Sequence, residues 1–262
     1  MNELIAREAT VHGTSWGLIH GGYFGCPQVA EPLVEKVVEY AGKSRADRIV
    51  DLGGGIGFVL SQIRERQQQS GTIYINLDDS PNQLQAAHPT GFRSIRHALD
   101  TFRRGDLGPE TACTCYLMRS VLHYFREHGL RPVLRHLHNQ TRPGECFIHQ
   151  TAAFHDPQDA RCLNTLYRMM RTDKWYPCVA DLSQALEDTS WQVLEILPAP
   201  PLPLTRADLQ NRYQLDAEDL DAIQERLSGM PVDETVFRTT PEGFCAYLHY
   251  AIYVCTPAGS TP

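Results

Sequence analysis

Gly53, Gly54, Gly55 and Gly57 follow directly on the apolar run 48–52, and Asp51 stands near the end of that run. A strand-to-helix bend needs residues without Cβ where backbone N–H groups and a helix N-terminus must approach a ligand closely. Further acidic residues close the next two runs: Asp78 and Asp79 after 72–77, and Asp100, with Leu99 beside it, after 92–97. His123 follows the fourth run, and His149 and His155 flank the C-terminal end of the fifth. Parallel sheets bind ligands at that end, and an imidazole there can exchange a proton near neutral pH. His123 is the first candidate base and His149 the second, with Tyr23 and His20 behind them.

The elements that must carry these residues read clearly from pattern. Leu33, Val34, Val37, Val38 and Ala41 recur at helical spacing, with Pro32 suited to the first turn and Gly42 to the stop. Short apolar strands at 48–52, 72–77, 92–97, 113–118 and 145–151 alternate with helices at about 58–68, after Pro81, and at about 130–140. Helical patterns follow at 156–170, 179–188 and 217–227, and strands at 191–197 and 244–254. This alternation predicts a Rossmann-like α/β fold: a seven-stranded, mostly parallel sheet with helices on both faces. Residues 1–45 are expected to form an N-terminal helical lid and substrate segment. Residues 46–262 are expected to form the main domain, with insertions at about 155–180 and 198–240.

A dinucleotide fingerprint G-x-G-x-x-G would place its last glycine at position 58, which is Phe58. The run from Asp51 to Gly57 instead resembles the D-x-G-x-G-x-G turn of class I S-adenosylmethionine-dependent methyltransferases. Leu77-Asp78-Asp79-Ser80-Pro81 resembles the acidic segment after that family's second strand, and Arg142-Pro143-Gly144 its turn before strand five. Arg119-Ser120-Val121-Leu122-His123-Tyr124 looks like its segment after strand four. The resemblance implies S-adenosylmethionine as cofactor and S-adenosylhomocysteine as product. The glycines would line the methionine moiety and Asp78 would accept the ribose hydroxyls. Asp100 would lie near the adenine amine, Leu99 beside the ring, and Arg119 and Ser120 in the cofactor site. Simpler roles stay open: Asp51 bracing the turn, Asp79 in solvent, Asp100 capping a helix and His123 packing. Glu145 departs from the pattern, where a second glycine often follows Pro-Gly.

The implied activity is methyl transfer to a small molecule, whose acceptor atom (O, N, C or S) the sequence leaves open. Tyr23, Phe24, His123, Tyr124, His155, Trp175 and Tyr176 are the candidate substrate residues, and Trp16, Phe154, Tyr167 and Tyr213 add to an aromatic wall. Such a wall suits a partly apolar or cationic acceptor. A net charge of −7 argues against nucleic acid, although Arg126, Arg131, Arg135 and Arg142 keep a tRNA-directed enzyme among the alternatives. The others are an enzyme acting on a carrier protein, a non-catalytic cofactor-binding module, and a metalloid methyltransferase using Cys26 and Cys178. No metal site is expected, since none of the eight cysteines forms a C-x-x-C pair. Residues 1–9 lack the pattern of a leader, and no apolar run spans a bilayer, so a cytoplasmic location is expected. The 198–240 segment is expected to cap the pocket or to form a homodimer contact.

Overall fold

The structure, a computed structural model, describes residues 20–67, 71–87 and 91–259. Trp16 and the rest of residues 1–19 lie outside the described residues. Five strands, β1 (Arg48–Leu52), β2 (Ile73–Asp78), β3 (Arg93–Arg96), β4 (Thr114–Arg119) and β5 (Cys146–Ala152), run parallel. The remaining strands, β6 (Trp191–Thr205), β7 (Phe237–Thr240) and β8 (Gly243–Pro257), pair antiparallel. The order is β3-β2-β1-β4-β5-β8-β6, with β7 pairing β8 off that path. β1 is buried along its whole length, as a central strand covered on both faces must be.

Helices α1 (Pro27–Lys43) and α2 (Phe58–Arg66) cover one face, closing a core with Ile49, Leu117, Ile148 and Val254. A short α3 (Pro81–Ala86) follows β2. Helices α4 (Arg126–Asn139) and α6 (Val179–Glu187) cover the other face over Val50, Leu77, Met118 and Phe147. A third core joins the long ends of β6 and β8 to α5 (Pro157–Met169), α7 (Arg206–Tyr213) and α8 (Ala217–Ser228).

Several elements differ from their sequence patterns for identifiable reasons. α1 starts at Pro27, so Pro32 lies inside it, and α1 packs in the core rather than over the cleft. β6 continues through the proline-rich stretch 198–203, pairing Pro198 with Ala251 and Pro203 with Tyr247. Prolines survive there because β6 pairs on one side only and slips register between Ala199 and Leu202. α7 is mostly polar and short, and β7 has four residues, so neither gave a periodic signal.

Glu145, the departure noted above, is a structural staple at the N-terminal edge of the sheet. Its oxygens meet Arg104 at 2.6 and 2.8 Å and also accept the amides of Thr114 and Arg142 at 2.8 Å. Arg104 donates further to the carbonyls of Glu110, Ala112 and Gln140. Removing one member of a buried, fully hydrogen-bonded pair strands the other. Glu145→Ala is expected to lower stability by about 3–5 kcal/mol in urea unfolding.

Candidate functional site

The glycine bend is built by close approach. Asp51 lies in β1 and is almost fully buried, and the chain then turns through Gly53 at φ +74°. A Cβ on Gly54 would collide with Asn76 Oδ1 and stand 2.6 Å from Asp51 Cγ. Asn76 Nδ2 donates to Gly55 O at 2.8 Å. Gly57, at φ +77°, opens α2 with Phe92 and Asn76 against it. The carboxylate that braces the bend is Asp78, whose Oδ2 accepts Gly55 N at 2.9 Å and whose Oδ1 accepts Ser80 N at 2.8 Å.

Above the C-terminal ends of β1, β2 and β4 lies a cleft of about 880 Å³. Asp51, Gly53, Gly54, Gly55, Asp78, Asp79, Leu99, Asp100, Arg119, Ser120, Phe24 and Tyr124 all border it, whereas Gly57 lies behind the bend. Asp100 sits in a turn and caps no helix; the following 3-10 turn is capped by Arg103.

Several buried side-chain atoms at the cleft lack hydrogen-bond partners among the described residues. Asp51 Oδ2 has no hydrogen bond, and neither do Nε and Nη2 of Arg119. Arg119 is held by its Nη1, which donates to Phe24 O at 3.1 Å, and by the faces of Tyr23 and Phe24. Burial, with Asp78 adding to it and Arg119 opposing, pushes the Asp51 carboxyl up to about 8. Burial likewise raises Asp78, against the two amides that favour its anion. Burial lowers Arg119, which Tyr23, Tyr250 and Asp51 counter.

A small inner pocket adjoins the cleft, sharing Phe24, Ser120, Tyr124 and Lys174 with it. It receives His123 and Tyr176, whose rings lie 5.2 Å apart. Tyr23 borders neither space; it backs Tyr250 and donates to Pro200 O. His149, expected near substrate as second base, is instead fully buried inside β5. It is sandwiched between Phe147 and Tyr253 at 4.8 and 4.9 Å, with burial lowering it to about 3. His155 is exposed and Trp175 packs on the α4–α6 core, and neither reaches the cleft. Cys26 and Cys178 also border neither space.

The sequence reading missed Asn76, Gln83, Val121, Lys174, Arg212 and Tyr250. Val121 carries the methyl group a Cβ on Gly53 would meet at 2.8 Å. The segment Arg119–Tyr124 already contained Val121, and the pattern of the last strand could have flagged Tyr250; the others lie outside any recognisable motif. Among the described residues no group of three or more His, Cys, Asp or Glu could hold a metal ion. Nor is any helix among them long and apolar enough to cross a membrane.

No protein-family model matches the chain, and no curated protein matches it in sequence. Solved structures do match in shape. The YcgJ protein of Bacillus subtilis superposes with a TM-score of 0.66 at 14% identity, covering 88% of this chain and 100% of its own. A putative methyltransferase from Bacillus halodurans gives 0.68 at 11%, covering 87% and 99%. Human N-acetylserotonin methyltransferase, solved with S-adenosylmethionine, gives 0.53 at 12%, covering 94% of this chain and 58% of its own. The fold is therefore the Rossmann-like α/β fold of class I methyltransferases.

The raised Asp51 carboxyl has a consequence for stability. The unfolded chain releases this proton near its ordinary value of 3.8, whereas the folded chain holds it to about 8. The folded state thus binds more protons between those values, and this contribution, fully present below 3.8, is lost as pH rises towards 8. Thermal unfolding of the ligand-free protein should show Tm falling across that window, with a shallower fall in Asp51→Asn.

Proposed function

We propose that the protein is an S-adenosylmethionine-dependent methyltransferase acting on a small molecule. The observation that carries this reading is the set of unpartnered buried atoms bordering one cleft, Asp51 Oδ2 before the glycine bend and Arg119 Nε and Nη2 at the end of β4. An acid and a guanidinium facing one cleft complement the two ends of an amino-acid zwitterion: Asp51 would accept its ammonium and Arg119 would fork onto its carboxylate. Asp78, with lone pairs beyond the two already used, borders the same cleft and would accept a ribose diol. Leu99 and Asp100 would flank the adenine. The structural neighbour solved with S-adenosylmethionine supports the same assignment.

When bound, that cofactor supplies a methyl group on a sulfonium, so transfer is an in-line displacement with a good leaving group. The chain's own work is to hold the acceptor in line and to keep water out. Phe24, Tyr124 and Phe125 border the cleft beyond the bend and would close it. His123, buried and directed to the inner pocket, is the candidate base for an acceptor that arrives protonated.

Calorimetry with S-adenosylhomocysteine tests the reading, and should show uptake of one molecule and none of NAD(P). Asp78→Ala should weaken it about 10–100-fold, since hydrogen bonds to a charged group contribute about 1.5–3 kcal/mol. Gly54→Ala should weaken it comparably by driving a methyl into Asp51 and Asn76, whereas Gly42→Ala, with open space around it, should not. At pH 7 binding should release up to one proton as Asp51 ionises against the ammonium, seen as a buffer-dependent heat that Asp51→Asn removes. Failure to take up S-adenosylhomocysteine sinks the assignment; uptake without turnover on any small molecule would leave a binding module.

A further inference from the structure

Asp51 and Asn76 are directly paired residues of the β1–β2 ladder, so their side chains lie on the same face of the sheet. Both are almost wholly buried, at 1% and 0% exposure. The glycine bend folds back over them. Asp51 Oδ2 stands 2.7 Å from the place a Gly54 Cβ would take, and Asn76 Oδ1 presses on that same place. The orientation of the Asn76 amide is fixed by its other end, since Nδ2 donates to Gly55 O at 2.8 Å. Oδ1 is therefore the atom left on the side of Gly54 and the Asp51 carboxyl. Neither Asp51 Oδ2 nor Asn76 Oδ1 has a hydrogen-bond partner. Two bare oxygens crowded against one residue in a dry place repel, and each is costly to leave unpaired. Turning the amide over would offer the carboxylate a donor. It would also set Oδ1 against the Gly55 carbonyl and lose the bond made there. A single proton on Asp51 satisfies both oxygens.

We infer that Asn76 is a positioning residue for the ligand's amino group: its Oδ1 accepts the proton of a neutral Asp51, and an ammonium that reaches Asp51 displaces this proton. The inference rests on the reading of Asp51 as the ammonium's partner. Asn76 does not border the cleft, so it acts on a ligand there through Asp51. The electrostatics agree with the geometry: burial raises the Asp51 carboxyl to about 8, with Asp78 on β2 adding to it and Arg119 on β4 opposing. Below that value a cation gains its partner only by expelling the proton, whereas a ligand without an amino group expels nothing. The bend therefore takes up nucleosides that carry an amino acid in exchange for a proton. Those that lack one enter without exchange.

The test follows the side-chain carbonyl carbons of Asp51 and Asn76 by carbon-13 NMR in the ligand-free full chain, across about pH 5–9. Both signals should titrate together with a midpoint near 8, and the Asn76 signal should stop moving in Asp51→Asn. Asn76→Val should lower the Asp51 midpoint by about 0.5–1 in pH, the weight of one hydrogen bond. Asn76→Asp, which keeps an oxygen at that place, should not lower it. Affinity for S-adenosylhomocysteine should rise about tenfold from pH 6 to pH 7, while affinity for 5′-methylthioadenosine, which lacks the amino acid, stays constant. A merely structural Asn76 would lower Tm in Asn76→Val and leave the Asp51 midpoint where it was. An Asp51 signal that titrates near its ordinary 3.8, or an Asn76 signal that ignores it, overturns the inference. Should neither variant at position 76 fold, the wild-type and Asp51→Asn titrations still decide. Loss of S-adenosylhomocysteine uptake, with the two signals still titrating together, would instead strike the cofactor reading.

Discussion

Asp51 and Gly54 are pressed together at the end of the central strand, and the neighbouring elements fall into place around that contact. With 2.6 Å between a Gly54 Cβ and the Asp51 carboxyl carbon, position 54 tolerates no side chain. Asn76 closes the third side by donating to Gly55 O, which locks the end of β2 to the bend. β2 then delivers Asp78 to brace Gly55 N. The bend, the second strand end and the acid beneath them form one unit. An isolated carboxyl so deeply buried is expensive to ionise, which is why it holds its proton to unusually high pH. A site with that property favours ligands that bring a positive charge to it.

The topology explains why this unit opens onto a cleft. From β1 the sheet grows in both directions, to β2 and β3 on one side and to β4 and β5 on the other. Connections on the two sides leave the strand ends by opposite faces, so a crevice opens where the order reverses. Arg119 ends β4, two residues beyond Leu117, which pairs with Asp51, and both charged residues border that crevice. The antiparallel extension of β6 and β8, with α5, α7 and α8, then packs an aromatic core beside the cleft.

How much of this the sequence showed depended on locality. Strands and helices between residues 48 and 152 were legible because apolar runs alternate there with glycine and proline punctuation. The acidic strand ends were visible for the same reason: each lies within a few residues of the run that carries it. Residues that meet across the fold were not. Lys174 and Arg212 sit in segments without periodicity, and only the packing of α7 beside the α5–α6 connection joins them. His149 illustrates the opposite error. Its position near a strand's C-terminal end suggested the ligand side, but alternation along β5 turns it to the α4–α6 face beside Phe147 and Tyr253. Prolines in β6 misled as well, since their cost vanishes on a strand with one free edge.

The scaffold contains a fully partnered ion pair, and several unpartnered polar atoms gather at the cleft. At the N-terminal edge, the Arg104 guanidinium and the Glu145 carboxylate find partners in each other, in backbone amides and in carbonyls. Around the cleft, the oxygens Asp51 Oδ2, Asn76 Oδ1 and Gln83 Oε1 and two nitrogens of Arg119 are buried without partners. Unmade hydrogen bonds of buried groups destabilise by about 1–3 kcal/mol each, more for charged groups, so the cleft gathers several costly groups in one place. Any molecule that supplies those partners recovers that free energy as affinity and as stability together. Partners must match in sign and place, and a zwitterion with a diol meets more of these requirements than a dinucleotide phosphate would, because only the former brings an ammonium against which Asp51 can ionise.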